Sequence, residues 1–245
     1  MKLHILGSSS QGNCYLFQGI TETLIWDCGI SLLEVKKALN FDISGIVGCI
    51  VDHIHGDHFS KVKDFLSAGI NVYASQGTID KSGIKNHHLL AISHKRLFNL
   101  GGFEIYPFDV KHDAPEPLGF LIRHKECGTT LAVTDTYYIP YKFPGLTNIL
   151  CEANYDLEIA NQAIENGASV HVRNRVMQSH MSIDTLCDFL KANDLSKVNN
   201  IVLLHLSNGN SNAKEFKRRV QEVAPGKRVT IADKNIEIDF SIYPF

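Results

Sequence analysis

The sequence predicts an α/β (α+β) fold in which two mixed β-sheets pack face to face with helices on the outside. Short apolar runs bounded by turn residues recur along the chain, and strands come first with a helix afterwards, twice in succession. At 245 residues the chain can bury a substantial core, and no linker, repeat or low-complexity tract divides it. We therefore expect a single domain over residues 1–245.

The first strands are predicted to form a hairpin. Leu3 to Leu6 and Cys14 to Phe17 are apolar runs on either side of a turn from Gly7 to Asn13. Hydroxyls and backbone N–H groups crowd this turn, which suits an anion, although a flexible hairpin loop is predicted equally well. Ser9 and Asn13 are its candidate substrate contacts.

The segment Cys49 to His58, with the sequence CIVDHIHGDH, dominates the functional reading of the chain. An apolar strand-like run, Ile46 to Val51, is followed by three histidines and an aspartate within six positions. A strand that ends in such a loop points several ligand groups at one place. Imidazole and carboxylate together suit Zn²⁺, Fe or Mn²⁺, and the closeness of the ligands predicts two ions.

Three further candidate ligands share one placement, just past the end of an apolar strand. They are His112, Asp135 and His205. Strand ends of a packed sheet gather along one lip of a domain, where a site is both rigid and open. The shared placement is more informative than any single member, because an isolated histidine is more often structural.

Two amphipathic helices are predicted in the last third of the chain. Ser182 is a candidate N-cap for one of them, and the other runs from Ala213 to Val223. The outer face of the second helix carries Lys214, Lys217, Arg218 and Arg219. Such a face is typical of a solvated helix surface, and a nucleic-acid contact is the alternative.

Composition restricts the remaining function classes. The net charge of −2 means that the chain as a whole does not attract a polyanion, so any nucleic-acid contact must depend on a local positive surface. No apolar run reaches membrane-spanning length, and the N-terminal residues lack the apolar core of a signal peptide. Six cysteines without a C-x-x-C pair are expected to be reduced, which favours a cytoplasmic protein.

His53-x-His55-x-Asp57-His58, followed in order by His112, Asp135 and His205, resembles the metallo-β-lactamase fold superfamily. More narrowly, the chain resembles its YycJ/WalJ-like branch of exonucleases, which are related to RNase Z. The matching segments are Leu6–Asn13, Asp27–Gly29, Val72–Thr78, His112–Phe120, Thr134–Asp135, Glu152–Asp156, Ser179–Ser182 and His205–Ser207. The resemblance covers nearly the whole chain and implies a four-layer αββα sandwich.

The resemblance also implies the ligand set. One metal would be held by His53, His55 and His112, and a second by Asp57, His58 and His205, with Asp135 bridging the two. Two divalent ions, Zn or Mn in the first place and Fe as the alternative, can hold a hydroxide between them at neutral pH. Asp57 would orient this hydroxide for attack on phosphorus.

One position departs from the superfamily pattern. Asp52 stands where a Thr commonly precedes the motif, and this affects the expected metal preference. Asp52, Glu152 and Asp113 are the candidate partners for the outer nitrogens of the ligand imidazoles.

His180 competes with His205 for the role of last metal ligand. Because a histidine at the place of His180 works near the leaving group in RNase Z-like enzymes, we assign His205 to metal and His180 to proton donation or phosphate contact. Arg175 and Asn210 are further candidate substrate contacts. Tyr137 and Tyr138 follow Asp135 and are interpreted either as base-stacking residues or as packing residues.

The resemblance implies a metal-dependent hydrolase, most directly a two-metal phosphodiesterase that cuts nucleic acid from an end. DNA is expected as the substrate rather than RNA, and a homodimer is one option for the assembly. A small-molecule phosphodiester, thioester or lactone hydrolase is the first alternative. An iron redox enzyme is the second, although di-iron oxidoreductase relatives usually carry Glu at the position of His55. A non-catalytic nucleic-acid-binding protein is the third.

Overall fold

The computed structural model describes residues 1–167 and 169–242 of the chain. In these residues the strands are β1 Lys2–Ser9, β2 Gly12–Gln18, β3 Thr23–Trp26, β4 Ile46–Ile50, β5 Val72–Ser75, β6 Leu89–Ile92, β7 Phe98–Leu100, β8 Phe103–Asp109, β9 Leu118–His124, β10 Gly128–Val133, β11 Asn148–Glu152, β12 Asn200–Leu204, β13 Arg228–Ile231 and β14 Ile236–Asp239. The helices are α1 Leu32–Ala38, α2 Gly56–Phe59, α3 Val62–Ser67, α4 Gln76–Ser82, α5 Leu157–Glu165, α6 Val170–Ser179, α7 Ile183–Ala192 and α8 Ala213–Val223.

The chain divides into two compact units, which we call the first and second units. The first contains residues 1–109, 114–128 and the described residues from 233 onward, and the second contains residues 110–113 and 129–232. The prediction of a single domain over 1–245 stays a prediction.

The first unit contains a complete mixed sheet with strand order β14-β1-β2-β3-β4-β5-β6. Strands β14 to β3 in this order pair antiparallel, and β3 to β6 pair parallel. Val35 of α1 and Phe65 of α3 are fully buried in the apolar cluster formed with β3, β4 and β5. Because parallel strands end at the same edge, residues after β3 and β4 come together there. The antiparallel strands β7, β8 and β9 also belong to this unit.

The second unit contains four parallel strands in the order β13-β12-β11-β10. Their carboxyl ends align, with Val133 opposite Cys151 and Glu152 opposite Leu204. The residues that follow β10 and β12 therefore lie near the end of β11. Ser182 caps α7 by accepting a hydrogen bond from the backbone N–H of Thr185, as predicted.

The predicted fold class is confirmed, since two mixed β-sheets are flanked by helices. Some local predictions differ from the structure. The turn predicted from Gly7 to Asn13 is much shorter, because β1 continues to Ser9 and pairs with Gly12 of β2. The helices α2, α4 and α6 and the strands β6, β7, β13 and β14 were not predicted. In the part of the chain that the structure describes, no helix has both the length and the apolar character needed to cross a bilayer.

Candidate metal centre

The first unit places five polar residues in and after the loop that leaves β4, and we call them the motif cluster. They are Asp52, His53, His55, Asp57 and His58. One ligand atom each of Asp52, His53 and His58 lies within 4.8 Å of the others. The chain leaves β4 at a buried edge, and α2 then begins at Gly56, which turns Asp57 and His58 back toward His53. The expected convergence of this motif is therefore present in the structure.

Each buried imidazole of the motif cluster has one nitrogen held by a carboxylate. Nδ1 of His53 lies 2.9 Å from Oδ1 of Asp52, and Nδ1 of His58 lies 2.8 Å from Oδ2 of Asp27. The opposite nitrogens face other candidate ligands. Nε2 of His53 lies 3.0 Å from Nδ1 of His55, and Nε2 of His58 lies 3.2 Å from Oδ2 of Asp57. A carboxylate on one side fixes the tautomer and presents the lone pair on the other side to a cation.

Asp27 and Asn13 are contacts of the motif cluster that were not predicted in this role. Asp27 follows β3, adopts φ of 64°, and also accepts a hydrogen bond from the backbone N–H of Asp52. The side-chain amide of Asn13, which is fully buried, lies 3.1 Å from Oδ2 of Asp57 and 3.0 Å from Nε2 of His58. Both residues are brought in by the pairing of β2, β3 and β4, so only the sheet topology reveals them.

Gly29 explains how closely the segment after β3 approaches the motif. A Cβ atom at Gly29 would lie 1.7 Å from the backbone oxygen of Asp57. The backbone N–H of Cys28 donates to the oxygen of His58 at 2.8 Å, which fixes this approach. Any side chain at position 29 would therefore displace Asp57.

The pKa values of the neighbouring carboxyl groups of Asp27 and Asp52 are shifted in opposite directions. Burial raises the pKa of Asp27 well above its usual range, and the nearby Asp52 adds to the rise. Burial also acts to raise the pKa of Asp52, but the positive charges of His58 and His53 outweigh it, so the pKa of Asp52 lies below its usual range. Asp52 is thus the ionised member of the pair, and its negative charge favours a cation close to His53 and His58.

The second unit gathers four residues that we call the strand-end cluster. They are Asp135, Glu152, His180 and His205, and one ligand atom of each lies within 4.8 Å of the others. Nδ1 of His180 lies 2.6 Å from Oε1 of Glu152 and 3.1 Å from Oδ1 of Asp135. Nδ1 of His205 lies 3.4 Å from Oε1 of Glu152. Both competing histidines therefore reach the same two carboxylates.

Glu152 organises the strand-end cluster from a fully buried position. Its Oε2 accepts hydrogen bonds from the backbone N–H groups of Thr136 at 3.2 Å and Met181 at 3.1 Å. Burial acts to raise the pKa of Glu152, but the charge and hydrogen bond of His180 lower it below its usual range. Burial likewise acts to lower the pKa of His180, but Glu152 and Asp135 raise it to about 11.

Backbone conformation also marks this cluster. Asp135 and His205 have φ values of 50° and 52°, in the left-handed region that non-glycine residues seldom adopt. The side-chain amide of Asn154 supports His205 by donating to its backbone oxygen at 2.8 Å. Asp135 and His205 follow the strands on either side of β11, and strained residues of this kind are typical of functional sites.

His112 is oriented by a contact that could not be predicted from the sequence. Its Nδ1 lies 2.9 Å from the backbone oxygen of Ser179, and its Nε2 lies 3.3 Å from Oδ1 of Asp113. A backbone carbonyl therefore holds Nδ1 of this ring, while the carboxylate of Asp113 lies beside the opposite nitrogen.

The donor groups of both clusters fit divalent transition metals. Imidazole nitrogens converge with carboxylate oxygens in each cluster. Nδ1 of His53 and of His58 has a carboxylate partner, and Nδ1 of His112, which lies outside both clusters, has a carbonyl partner. This pattern of outer partners is typical of histidines that bind metal. The donor set suits Zn, Mn or Fe rather than Ca or Mg, which prefer oxygen alone.

The other predicted site residues lie in varied surroundings. Ser9 ends β1 and is half-buried, and its hydroxyl accepts a hydrogen bond from the backbone N–H of Gln11. Arg175 is exposed on α6, and the backbone oxygen of Asn210 accepts from Asp156 at 2.8 Å. Their roles toward substrate stay predictions.

The basic face of α8 is partly neutralised by ion pairs. Arg218 pairs with Glu215 and Glu222, and Arg219 pairs with Asp156 and Asp184. This arrangement favours the solvated-surface interpretation of the helix over a nucleic-acid contact. All six cysteines are buried, as expected for core residues.

Comparison with known proteins gives consistent matches. The profile of the metallo-beta-lactamase superfamily matches residues 8–135. Exodeoxyribonuclease WalJ of Streptococcus pneumoniae serotype 2 (strain D39 / NCTC 7466) is 24% identical over 262 residues, which covers 99% of this chain and 93% of that protein. Exodeoxyribonuclease YycJ of Bacillus anthracis is 28% identical over 179 residues, which covers 65% of this chain and 66% of that protein. Among solved structures, the metallo-beta-lactamase fold protein YhfI from Bacillus subtilis superposes with a TM-score of 0.71 at 14% identity, over 97% of this chain and 99% of that one.

Proposed function

Since the chain belongs to the metallo-beta-lactamase superfamily, a superfamily of metal-dependent hydrolases, we propose that it is a two-metal phosphodiesterase that shortens DNA from an end. The observation that carries the proposal is the convergence of imidazoles in each cluster, with their outer nitrogens held by carboxylates or a carbonyl. The relatives WalJ and YycJ described above are named exodeoxyribonucleases, which supports DNA as the substrate class.

We assign the ligands as the family pattern implies. His53, His55 and His112 hold one ion, Asp57, His58 and His205 hold the other, and Asp135 contributes to both. What supports the assignment is that Nε2 of His53 faces His55 and that Nε2 of His58 faces Asp57. Zn or Mn is the proposed metal, and Fe is the alternative allowed by the same donors.

The bound ions would supply an activated water and would neutralise charge on the phosphate oxygens. The protein residues then have separate tasks. Asp57, whose Oδ2 is held by Asn13, orients the attacking water toward phosphorus. His180 gives a proton to the leaving oxygen, and Glu152 keeps that imidazole protonated and fixed at 2.6 Å. In-line attack requires that the attacking water and the proton donor of the leaving oxygen act from opposite sides of the phosphate.

The remaining assignments concern partners and location. Ser9, Asn13, Arg175 and Asn210 are the proposed substrate contacts. We propose a cytoplasmic protein that acts on nucleic acid, with DNA preferred to RNA and with a homodimer as one possible assembly. The absence of a C-x-x-C pair among the six cysteines is in keeping with that location.

Incubation with end-labelled single-stranded DNA, with and without chelator, tests the function. We expect a ladder of progressively shorter products that chelation abolishes and that Mn²⁺ or Zn²⁺ restores. His55→Ala should remove the activity, whereas His94→Ala, which removes an exposed histidine outside both clusters, should keep it. Full activity of the His55→Ala protein would contradict the proposal.

A further inference from the structure

Two consecutive exposed tyrosines stand out on the second unit. Tyr137 and Tyr138 keep 44% and 52% of their surface accessible, and no other consecutive pair of large apolar residues is as exposed in the ranges 1–167 and 169–242. These exposed fractions exclude burial of the two rings in the core. Aromatic rings held open to solvent near a catalytic centre require another explanation.

The backbone beneath these rings is fixed to segments that carry candidate metal ligands. The hydroxyl of Thr136 donates to the oxygen of Tyr138 at 2.9 Å and accepts from the backbone N–H of Lys111 at 3.0 Å. The backbone N–H of Tyr137 donates to the oxygen of Lys111 at 3.3 Å. Since Lys111 precedes His112 and Thr136 follows Asp135, both rings stand at a set position beside these two residues.

A cleft of about 320 Å³ continues from Tyr138 along the following residues. Ile139, Tyr141 and Phe189 line it, and the ring of Phe143 lies behind them at 6.4 Å from that of Phe189. The backbone N–H of Phe143 donates to Oδ1 of Asn193 at 2.9 Å, which closes the far end of the segment. The cleft thus combines apolar and aromatic side chains with polar ones, and the segment that lines it is held at both ends.

Positive charge accompanies the aromatic rings. Lys142 lines the cleft and is exposed, and Lys111 is exposed next to the anchoring hydrogen bonds of the tyrosine backbone. The acidic Asp188 at the cleft is paired with Lys191 at 3.2 Å, which reduces its repulsion of an anion. Aromatic faces interleaved with lysines suit a flexible polyanion whose bases are unpaired.

We propose that the segment Tyr137–Lys142 binds single-stranded nucleic acid, with Tyr137 and Tyr138 stacking on bases next to the scissile phosphate and with Lys111 and Lys142 contacting the backbone. This inference rests on the proposed nuclease function and adds the means by which the strand is held. Stacking does not depend on base identity, so the segment gives affinity without sequence preference. Paired bases cannot reach the rings, so a duplex end must fray before it is bound.

The test compares two substrates on the metal-loaded protein. Steady-state constants are measured on end-labelled single-stranded DNA and on bis-p-nitrophenyl phosphate, which has no base to stack. For Tyr137→Ala and Tyr138→Ala we expect the ratio of kcat/KM for DNA to kcat/KM for the small diester to fall about tenfold each, mainly through KM. Tyr→Phe at either position should restore the ratio, because the ring rather than the hydroxyl stacks. Phe41→Ala, which removes a ring exposed at 66%, is the matched control and should leave the ratio as in wild type.

Several results would overturn the proposal. An unchanged ratio in both Tyr→Ala variants would show that the segment does not hold the strand, even though the wild-type protein cuts DNA. A changed oligomeric state in these variants, again with an unchanged ratio, would assign the rings to self-association instead. Equal binding of duplex and single strand would exclude base stacking. A wild-type protein that turns over the small diester but neither binds nor cuts DNA would refute the proposed nuclease function itself, and this outcome is distinct from the others.

Discussion

The motif cluster of the first unit comes almost entirely from Asp52 to His58, whereas the strand-end cluster of the second unit is collected from four segments between Asp135 and His205. The first depends on one loop after β4, and the second depends on the alignment of three parallel strands. The carboxylates that hold the histidine rings of the two clusters differ in the same way. Two carboxylates on neighbouring strands hold the histidines of the motif cluster, and the single buried Glu152 serves both histidines of the strand-end cluster. The two halves should therefore respond differently to substitution.

The largest expected effect is loss of a ligand from either cluster. His53→Ala and His205→Ala should each lower DNA cleavage about a thousandfold or more, because each removes an imidazole from a metal that contributes several kcal/mol to transition-state stabilisation. Metal content per chain, measured together with the cleavage rate, should fall in both variants. Activity within tenfold of wild type for His205→Ala would mean that His180 is the last ligand instead.

His180 distinguishes proton donation from metal binding within the strand-end cluster. His180→Gln should lower kcat on DNA about a hundredfold, in the range of general acid catalysis, and should keep the metal content of wild type. The loss in His180→Gln should be least on bis-p-nitrophenyl phosphate, whose leaving group departs without a proton, whereas His205→Ala should lose activity on both substrates. Metal loss in His180→Gln would contradict the assigned roles.

The outer carboxylates provide the most direct comparison between the clusters. Asp27→Asn alters the partner of one histidine, His58, so metal affinity should fall about 10- to 100-fold. Glu152→Gln alters the partner of both His180 and His205, so it should lower kcat as well as metal affinity. Titration with Mn²⁺ or Zn²⁺ distinguishes the two variants, since excess metal should restore the activity of Asp27→Asn but not that of Glu152→Gln. Equal rescue of both variants would show that Glu152 acts only on the metal.

The smallest expected effect comes from Tyr15, which supports the motif cluster indirectly. Its hydroxyl lies 2.8 Å from Oγ of Ser8 and 3.3 Å from Oδ1 of Asn13, and its ring stacks on Trp26 at 4.5 Å. Tyr15→Phe keeps the ring and removes the hydroxyl, so the free energy of unfolding should fall by about 1 kcal/mol. Denaturant unfolding measures this change, and a several-fold loss of metal affinity should accompany it. No change in either quantity would mean that Asn13 is held without Tyr15.

The sequence could predict the motif cluster because its ligands are neighbours in the chain. The strand-end cluster was predictable only in part, from the rule that Asp135 and His205 each follow an apolar strand. The roles of Asp27, Asn13 and Asn154 depend on pairing between distant segments, and the contact of His112 with the oxygen of Ser179 has no side-chain signature at all. Helix α6 was missed because its polar, basic residues show no apolar periodicity, and β14 because its partner is β1 at the opposite end of the chain.

Metal stoichiometry is the most direct test of whether both clusters bind metal. The protein is stripped with chelator, reloaded with Mn²⁺ or Zn²⁺ and desalted, and the metal equivalents per chain are measured by elemental mass spectrometry. We expect close to two equivalents for wild type and for His94→Ala, and fewer for His53→Ala and for His205→Ala. No bound metal after reloading, or unchanged stoichiometry in both ligand variants, would contradict metal binding by the two clusters.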